Sequence, residues 1–383
     1  MRTWSVASRR CASRRARSSR TGSGSRWRKP LAAEHTRGAD ARGIVAGLPA
    51  RVTSILAPGV PVVVTGCAGF IGSTVSEALL ELGCLVTGVD CLTDYYDPAL
   101  KRENLAGCLA HPGFRFRQED LQQLDAVALL RGQRAVFHLA AQAGVRASWG
   151  AYFAEYLGRN VMATQRLLEA CREPSVRDTL ARFVYSSSSS VYGDQEQLPV
   201  TEQALPQPLS PYGVTKMAAE HLCVLYSANF GVPTSSLRYF TVYGPRQRPD
   251  MAFRKYIEAA LDGRVFEVYG DGAQTRDFTY VADAVRSNLL AVACDRPWEV
   301  FNTGGGSRVA FGESLELLGR LLREHVPGVA ATVEYRPTAD GDVRDTFAER
   351  THVERTIGYR PTVTFEEGLR REVAWAVARR RQA

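Results

Sequence analysis

Tyr212 and Lys216 stand four residues apart in the stretch YGVTK, so on a helix they share one face, a turn apart. A phenol beside an ammonium is a proton-transfer pair, because the cation favours phenolate and draws the tyrosine pKa toward working pH. With 15 Tyr and four Lys in 383 residues, chance alone leaves well under one such pair in the chain. Upstream, Ser186 to Ser190 follow the apolar run RFVY and lead into Val-Tyr-Gly. Five serines read either as a flexible linker or, leaving a buried strand, as a rigid turn that presents hydroxyls to a crevice. In the second case a hydroxyl can bind a substrate oxygen and relay its proton to Tyr212.

The second chemical feature is TGCAGFIG, residues 65–72, which carries Gly66, Gly69 and Gly72 between an apolar run and a helical one. A glycine turn there lets backbone N–H groups, with Phe70 and Ile71 entering the helix, approach a pyrophosphate at the positive helix end. Asp90 ends the next strand, where a carboxylate accepts an adenosine 2′-OH and repels a 2′-phosphate, so NAD is expected over NADP. The alternative is a glycine-rich turn that binds nothing. Asp120 and Leu121 after the third strand, and Ala140, Ala141 and Gln142 after the fourth, are placed to border adenine and ribose. Asp120 reads equally well as an ordinary strand-end turn. Asn160, alone on a helix, is expected to brace the site.

These residues need a scaffold, and the hydrophobic pattern supplies one. PVVVTG (61–66), CLVTGVD (84–90), FRFRQED (114–120), AVFHLAA (135–141), RFVYSS (182–187) and TSSLRYF (234–240) read as strands, separated by helical or loop stretches such as 70–83. This alternation predicts an α/β fold, a Rossmann-type doubly wound parallel sheet with ligands beyond the strands' carboxyl ends. From 241 the rhythm loosens into Gly-, Pro- and charge-rich loops, which predicts a smaller C-terminal α/β substrate-binding domain. The expected division is 1–58 an extension, 59–240 the dinucleotide domain and 241–383 mainly the second domain, with some segments returning to the sheet.

The composition, 45% hydrophobic and 23% charged, is that of a globular protein and excludes a collagen or a small disulfide scaffold. The net charge of +8 suggests a nucleic-acid partner, yet residues 1–58 alone carry +11 and the remainder −3. That Arg- and Ser-rich extension is expected to be disordered and foldless. Its composition resembles a transit peptide, but 44 Arg against four Lys also suits GC-rich coding and a start placed too far upstream. No aromatic stacking platform accompanies it, so no nucleic acid is expected as partner. No stretch reads as a membrane span, and the eight Cys lack metal-ligand spacing, so a reduced, cytoplasmic protein without a metal site is expected.

Taken together, TGCAGFIG, HLAAQAGV, SSSSSVYGD, YGVTK, RYFTVYGP and RDFTYVAD make residues 61–377 resemble the extended short-chain dehydrogenase/reductase family, specifically its NAD-dependent nucleotide-sugar epimerases and dehydratases. The resemblance implies a catalytic set of Ser188, Tyr212 and Lys216, with Tyr212 the base and Lys216 also on the nicotinamide ribose. It adds Tyr239 to the cofactor contacts. Family 4,6-dehydratases carry an Asp-Glu pair before Val-Tyr-Gly. Here Ser189 and Ser190 stand in those places and cannot do carboxyl acid/base work, which implies a 4-epimerase working through a transient 4-keto sugar. DYYDPALKRENL, AQAGVR and YGPRQRPDM resemble UDP-glucuronate 4-epimerases in particular. Arg248 is then the candidate clamp for a C6 carboxylate, since guanidinium matches a carboxylate fork, with a solvated loop arginine as the alternative. The resemblance further implies that Ser189, Ser190 and Thr241 border the sugar, that Arg276 meets the diphosphate, and that Phe266, Val268 and Tyr269 lie where uracil packs. A homodimer through helices near 150–172 and 211–230 is implied as well. The competing readings are a UDP-glucose or UDP-N-acetylglucosamine 4-epimerase and a non-catalytic NAD-binding sensor or scaffold.

Overall fold

A computed structural model describes residues 40–338 and 340–382. In chain order the strands are β1 (Pro61–Thr65), β2 (Leu85–Val89), β3 (Phe114–Arg117), β4 (Ala135–His138), β5 (Arg182–Ser188), β6 (Thr234–Tyr239), β7 (Thr241–Tyr243), β8 (Val265–Tyr269), β9 (Thr275–Tyr280), β10 (Trp298–Thr303), β11 (Arg308–Ala310) and β12 (Thr332–Arg336). Seven of them form one parallel sheet in the order β3-β2-β1-β4-β5-β6-β10. β1 is buried from Val62 to Thr65, with Val62 paired to Val86 on one side and Ala135 on the other. Strand order reverses at β1 and β4, so the crossovers leave from that point in opposite directions and open a crevice beyond their carboxyl ends.

The helix Phe70–Glu81 covers one face of the sheet with Phe70, Val75, Ala78 and Leu79. The helix Pro211–Phe230 covers the other, starting with Pro211 in its first turn and with the Ser210 hydroxyl accepting from Gly213 N–H at 3.1 Å. It stops at Gly231, whose φ of +70° suits a left-handed cap. The six strands read from the sequence are joined by a seventh, β10, which returns from the second lobe to pair with β6. That lobe holds two small sheets, β11-β9-β7 and β12-β8.

One expectation is overturned. The extension read as foldless to residue 58 contains two short helices, Ala41–Val45 and Ala50–Ile55. Ile44, Val52 and Leu56 are 3%, 1% and 1% exposed, packed into the main core. Arg286 ties the segment down by donating to the carbonyls of Ile44 (2.8 Å), Ala46 (2.9 Å) and Gly47 (3.2 Å). The charge pattern misled because 11 of the 13 basic residues precede residue 40, while the two that follow have acidic partners, Arg42 on Glu81 and Arg51 on Asp295. The rest of that expectation, residues 1–39, lies outside the described residues. Among the described residues no helix is long and apolar enough to cross a membrane.

Candidate active site

The glycine turn sits where β1 meets the reversal of strand order. Gly66 has φ +69°, and a Cβ there would lie 2.7 Å from Ala140 N. A Cβ on Gly72 would lie 2.1 Å from Gly66 O, so both positions admit only glycine. The helix Phe70–Glu81 starts at Gly69 with no side-chain cap, which leaves its first N–H groups directed at the cleft. Asp90 accepts from Leu92 N–H (2.8 Å) and Ala68 N–H (3.2 Å), which fixes the carboxylate beside the turn with Lys101 Nζ at 3.9 Å. The spare lone pairs of that carboxylate suit ribose hydroxyls. A cradle that a single Cβ would fill, a bare helix N-terminus and a carboxylate at the second strand end together fit NAD.

One cleft is lined by Gly66, Gly69, Phe70, Ile71, Gly72, Asp90, Asp120, Leu121, Ala140, Ala141, Gln142, Tyr212, Lys216, Tyr239 and Arg248. Asn160 stands behind the wall, 1% exposed, where the helix around it widens over 157–162. Its Oδ1 accepts from Gln142 N–H at 2.7 Å, and its Nδ2 donates to Gln142 O (3.1 Å) and Thr215 Oγ1 (3.0 Å). The network runs on through Thr164, whose hydroxyl donates to Asn160 O (2.6 Å) and so accepts from His138 Nε2 (2.9 Å), while His138 Nδ1 accepts from the Thr65 hydroxyl (2.7 Å). Burial, with the Lys216 charge behind it, pushes the His138 imidazole down to about 3, so it is neutral. Sequence reasoning passed over His138 because a lone histidine at a strand end reads as core. Its place in HLAAQAGV was the available signal.

The serines form the rigid turn, not the linker. Ser186 and Ser187 are buried in β5, and Ser188 Oγ accepts from Ser190 N–H (3.2 Å) to close a single turn over Ser189–Val191. Ser187 donates to Glu220 (2.6 Å), which forms a buried pair with Arg238 at 2.5 Å. Arg238 in turn donates to the Tyr192 hydroxyl at 2.8 Å. Ser188, Ser189, Ser190 and Thr241 stand off the cleft wall, although Ser188 reaches the Tyr212 phenol.

Tyr212 and Lys216 do share one helix face, but their electrostatics differ from expectation. Burial raises the phenol pKa, and what opposes it is the Ser188 hydrogen bond and the Arg248 charge. Lys216 Nζ instead donates to Ser186 O at 2.6 Å and lies 4.9 Å from the centre of the Tyr185 ring. Burial pushes Lys216 down to about 7 against the raising influence of Cys223 and Glu220. Tyr156 packs edge-on to Tyr212 at 6.2 Å and donates to Gly144 O (2.7 Å), fixing the phenol's surroundings.

The residues expected at the sugar nucleotide are placed unevenly. Arg248 lines the cleft but is held by Asp250, with Nε and Nη2 each donating at 2.9 Å. Arg276 is off the wall, its guanidinium donating to the carbonyls of Arg344 and Val343 at 2.8 Å each. Phe266 and Val268 cannot meet a base, because β8 alternates and turns both into the core. Tyr269 is the accessible member of that trio, and Arg146 stacks on it at 4.0 Å. Sequence reasoning also missed Tyr95 and Asp250, single residues in turns, and Arg146, which opens the single helical turn Arg146–Ser148.

Fold and site together define a dinucleotide-dependent enzyme of the tyrosine–lysine type. Residues 62–304 match the NAD dependent epimerase/dehydratase family. An uncharacterised UDP-glucose epimerase, YtcB, of Bacillus subtilis (strain 168) is 41% identical over 321 residues, covering 82% of this chain and 97% of that protein. A UDP-glucuronate 4-epimerase of Thermodesulfobacterium geofontis is 37% identical over 319 residues, covering 82% and 95%. The crystal structure of UDP-glucuronic acid 4-epimerase from Bacillus cereus with UDP-glucuronic acid and NAD superposes with a TM-score of 0.77 at 40% identity, covering 82% of this chain and 98% of that one. The chain belongs to the NAD dependent epimerase/dehydratase family, and NAD is its cofactor.

Proposed function

We propose that this protein inverts C4 of a UDP-sugar, with UDP-glucuronate, giving UDP-galacturonate, as the preferred substrate. The observation that carries the reading is Arg248 on the wall of the cleft that also holds Tyr212 and Lys216. A guanidinium there meets a carboxylate, and no carboxylate occupies Ser189 or Ser190 to drive loss of water. The relatives named for UDP-glucuronate support the same choice.

In this mechanism Tyr212 takes the proton from the sugar O4, and Ser188 holds that oxygen and orients the phenol. Lys216 binds the nicotinamide ribose, and its charge supports phenolate once the cofactor is in place. Gly66, Gly69 and Gly72 admit the pyrophosphate, while Asp90 takes the adenosine ribose. NAD, when bound, supplies the redox chemistry at C4 and recovers its starting state within the cycle. Tyr212 then returns the proton to the oxygen of the inverted centre. Arg248 keeps the C6 carboxylate in register.

Purified protein incubated with UDP-glucuronate and followed by proton NMR at C4 tests this. Absence of UDP-galacturonate after prolonged incubation rejects the uronate assignment, and parallel UDP-glucose and UDP-N-acetylglucosamine samples identify a neutral substrate. UDP-glucose is the second reading, favoured because Asp250 already neutralises Arg248.

The same proposal includes a cytoplasmic homodimer. Seven described cysteines are all free thiols, which suits a reducing compartment. Tyr152, Phe153, Leu157 and Met162 on one helical stretch, with Val214, Leu225 and Phe230 on the helix Pro211–Phe230, are exposed apolar side chains that a second copy would cover. Sedimentation at micromolar concentration as a monomer rejects this part.

A further inference from the structure

The guanidinium of Arg248 has five N–H donors, and two of its nitrogens are engaged sideways by Asp250 at 2.9 Å each. Tyr95 adds a hydrogen bond to the same carboxylate at 3.3 Å, so Asp250 is fixed from two directions. Arg248 and Tyr95 both line the cleft, whereas Asp250 does not. The acid therefore neutralises the arginine from outside the cleft wall and leaves Nη1 without a bond to it. Gly144 completes the packing, with φ +103° and space so tight that a Cβ would come within 2.4 Å of the Tyr95 hydroxyl.

A bare guanidinium in this half-buried place would reward a carboxylate and be left unpaired beside a neutral hydroxymethyl group. With Asp250 attached, the pair is neutral overall and stays paired whatever binds. We propose that Asp250 is a specificity-determining residue, a built-in carboxylate that moderates Arg248 and narrows the discrimination between uronate and neutral hexose. The inference rests on the reading that the sugar C6 group meets Arg248. It makes the uronate preference a property of the Arg248–Asp250–Tyr95 triad and not of the arginine alone.

The test measures dissociation constants of UDP-glucuronate and UDP-glucose by calorimetry on NAD-loaded protein, in a Tyr212→Phe background so that each ligand remains as added. Asp250→Asn removes the negative charge and keeps the size. The ratio of the two affinities should move toward UDP-glucuronate by about ten-fold, as expected when an opposing charge within hydrogen-bond distance is withdrawn. Asp250→Glu restores the carboxylate and should return the ratio toward its starting value. An unchanged ratio in Asp250→Asn, or one shifted toward UDP-glucose, overturns the inference, even where both ligands weaken together. Failure of the underlying reading looks different. Arg248→Gln would then leave the ratio untouched, or neither UDP-sugar would bind, and both results sink the two ideas together. Urea midpoints on each variant confirm that folded protein is compared.

Discussion

Replacing Asn160 with alanine withdraws three hydrogen bonds at once from a fully enclosed position. Two of them hold the peptide groups of Gln142, and the third holds the Thr215 hydroxyl. Each lost bond is worth about 1 kcal/mol net, but the larger effect is on the partners left behind. An amide N–H and a carbonyl stranded without water each carry a penalty of roughly 1–3 kcal/mol. The sum expected for Asn160→Ala is about 3–5 kcal/mol, a large share of the 5–15 kcal/mol typical of a domain. Because Gln142 lines the cleft and Thr215 lies between Tyr212 and Lys216, the damage should reach NAD affinity and turnover together. Urea denaturation reads the first quantity, and NAD titration of the refolded variant reads the second. Thr215→Val offers a control, since it deletes one of the same bonds and its effect should combine with Asn160→Ala less than additively. A loss below about 1 kcal/mol with NAD affinity intact would show that water or a neighbour takes over the contacts, and the bracing argument would be wrong.

Three other outcomes follow from the geometry. Tyr212→Phe should lower the epimerisation rate by about 10²–10⁴-fold while NAD retention, measured from the released cofactor, stays unchanged. Burial raises Glu372 to about 8, where one oxygen accepts from Gly244 N–H and the other has no partner. The native carboxyl thus keeps its proton through a range in which the unfolded one, near 4.5, has lost it, so stability falls as pH rises from 4.5 to 8. Glu372→Gln should flatten that fall in urea midpoints taken from pH 5 to 8. Leu56→Ala should cost about 2–5 kcal/mol by cavity formation, seen as a lowered urea midpoint, with the activity of the folded fraction unchanged.

The parts legible in the sequence were those fixed by short-range pattern. The glycine turn, Asp90 and the Tyr212–Lys216 pair each depend on spacing within one strand–turn–helix unit, and all line the same cleft. β10 was not legible as the sheet's last strand, because its pairing with β6 joins segments more than 50 residues apart. Phe266 and Val268 were assigned to a base by their position in a motif, while β8 placed them by alternation in the core. The partner of Lys216 escaped too: a main-chain carbonyl, Ser186 O, leaves no trace in side-chain spacing. Asp250 lay two residues from Arg248 in plain view, yet only the loop's shape shows that the acid turns back to hold the arginine. Residues 41–55 were hidden by the arginines before them, since average composition outweighed three apolar positions.

Those two short helices have a consequence for how far the packed core reaches toward the N-terminus. The family match starts at residue 62, and a gene trimmed to it would keep every residue assigned to chemistry. It would also strip Ile44, Val52 and Leu56 from the main core, and take away the three carbonyls that now meet Arg286. The packed core therefore reaches further toward the N-terminus than the catalytic segment does. Expression boundaries drawn from homology would cut between them.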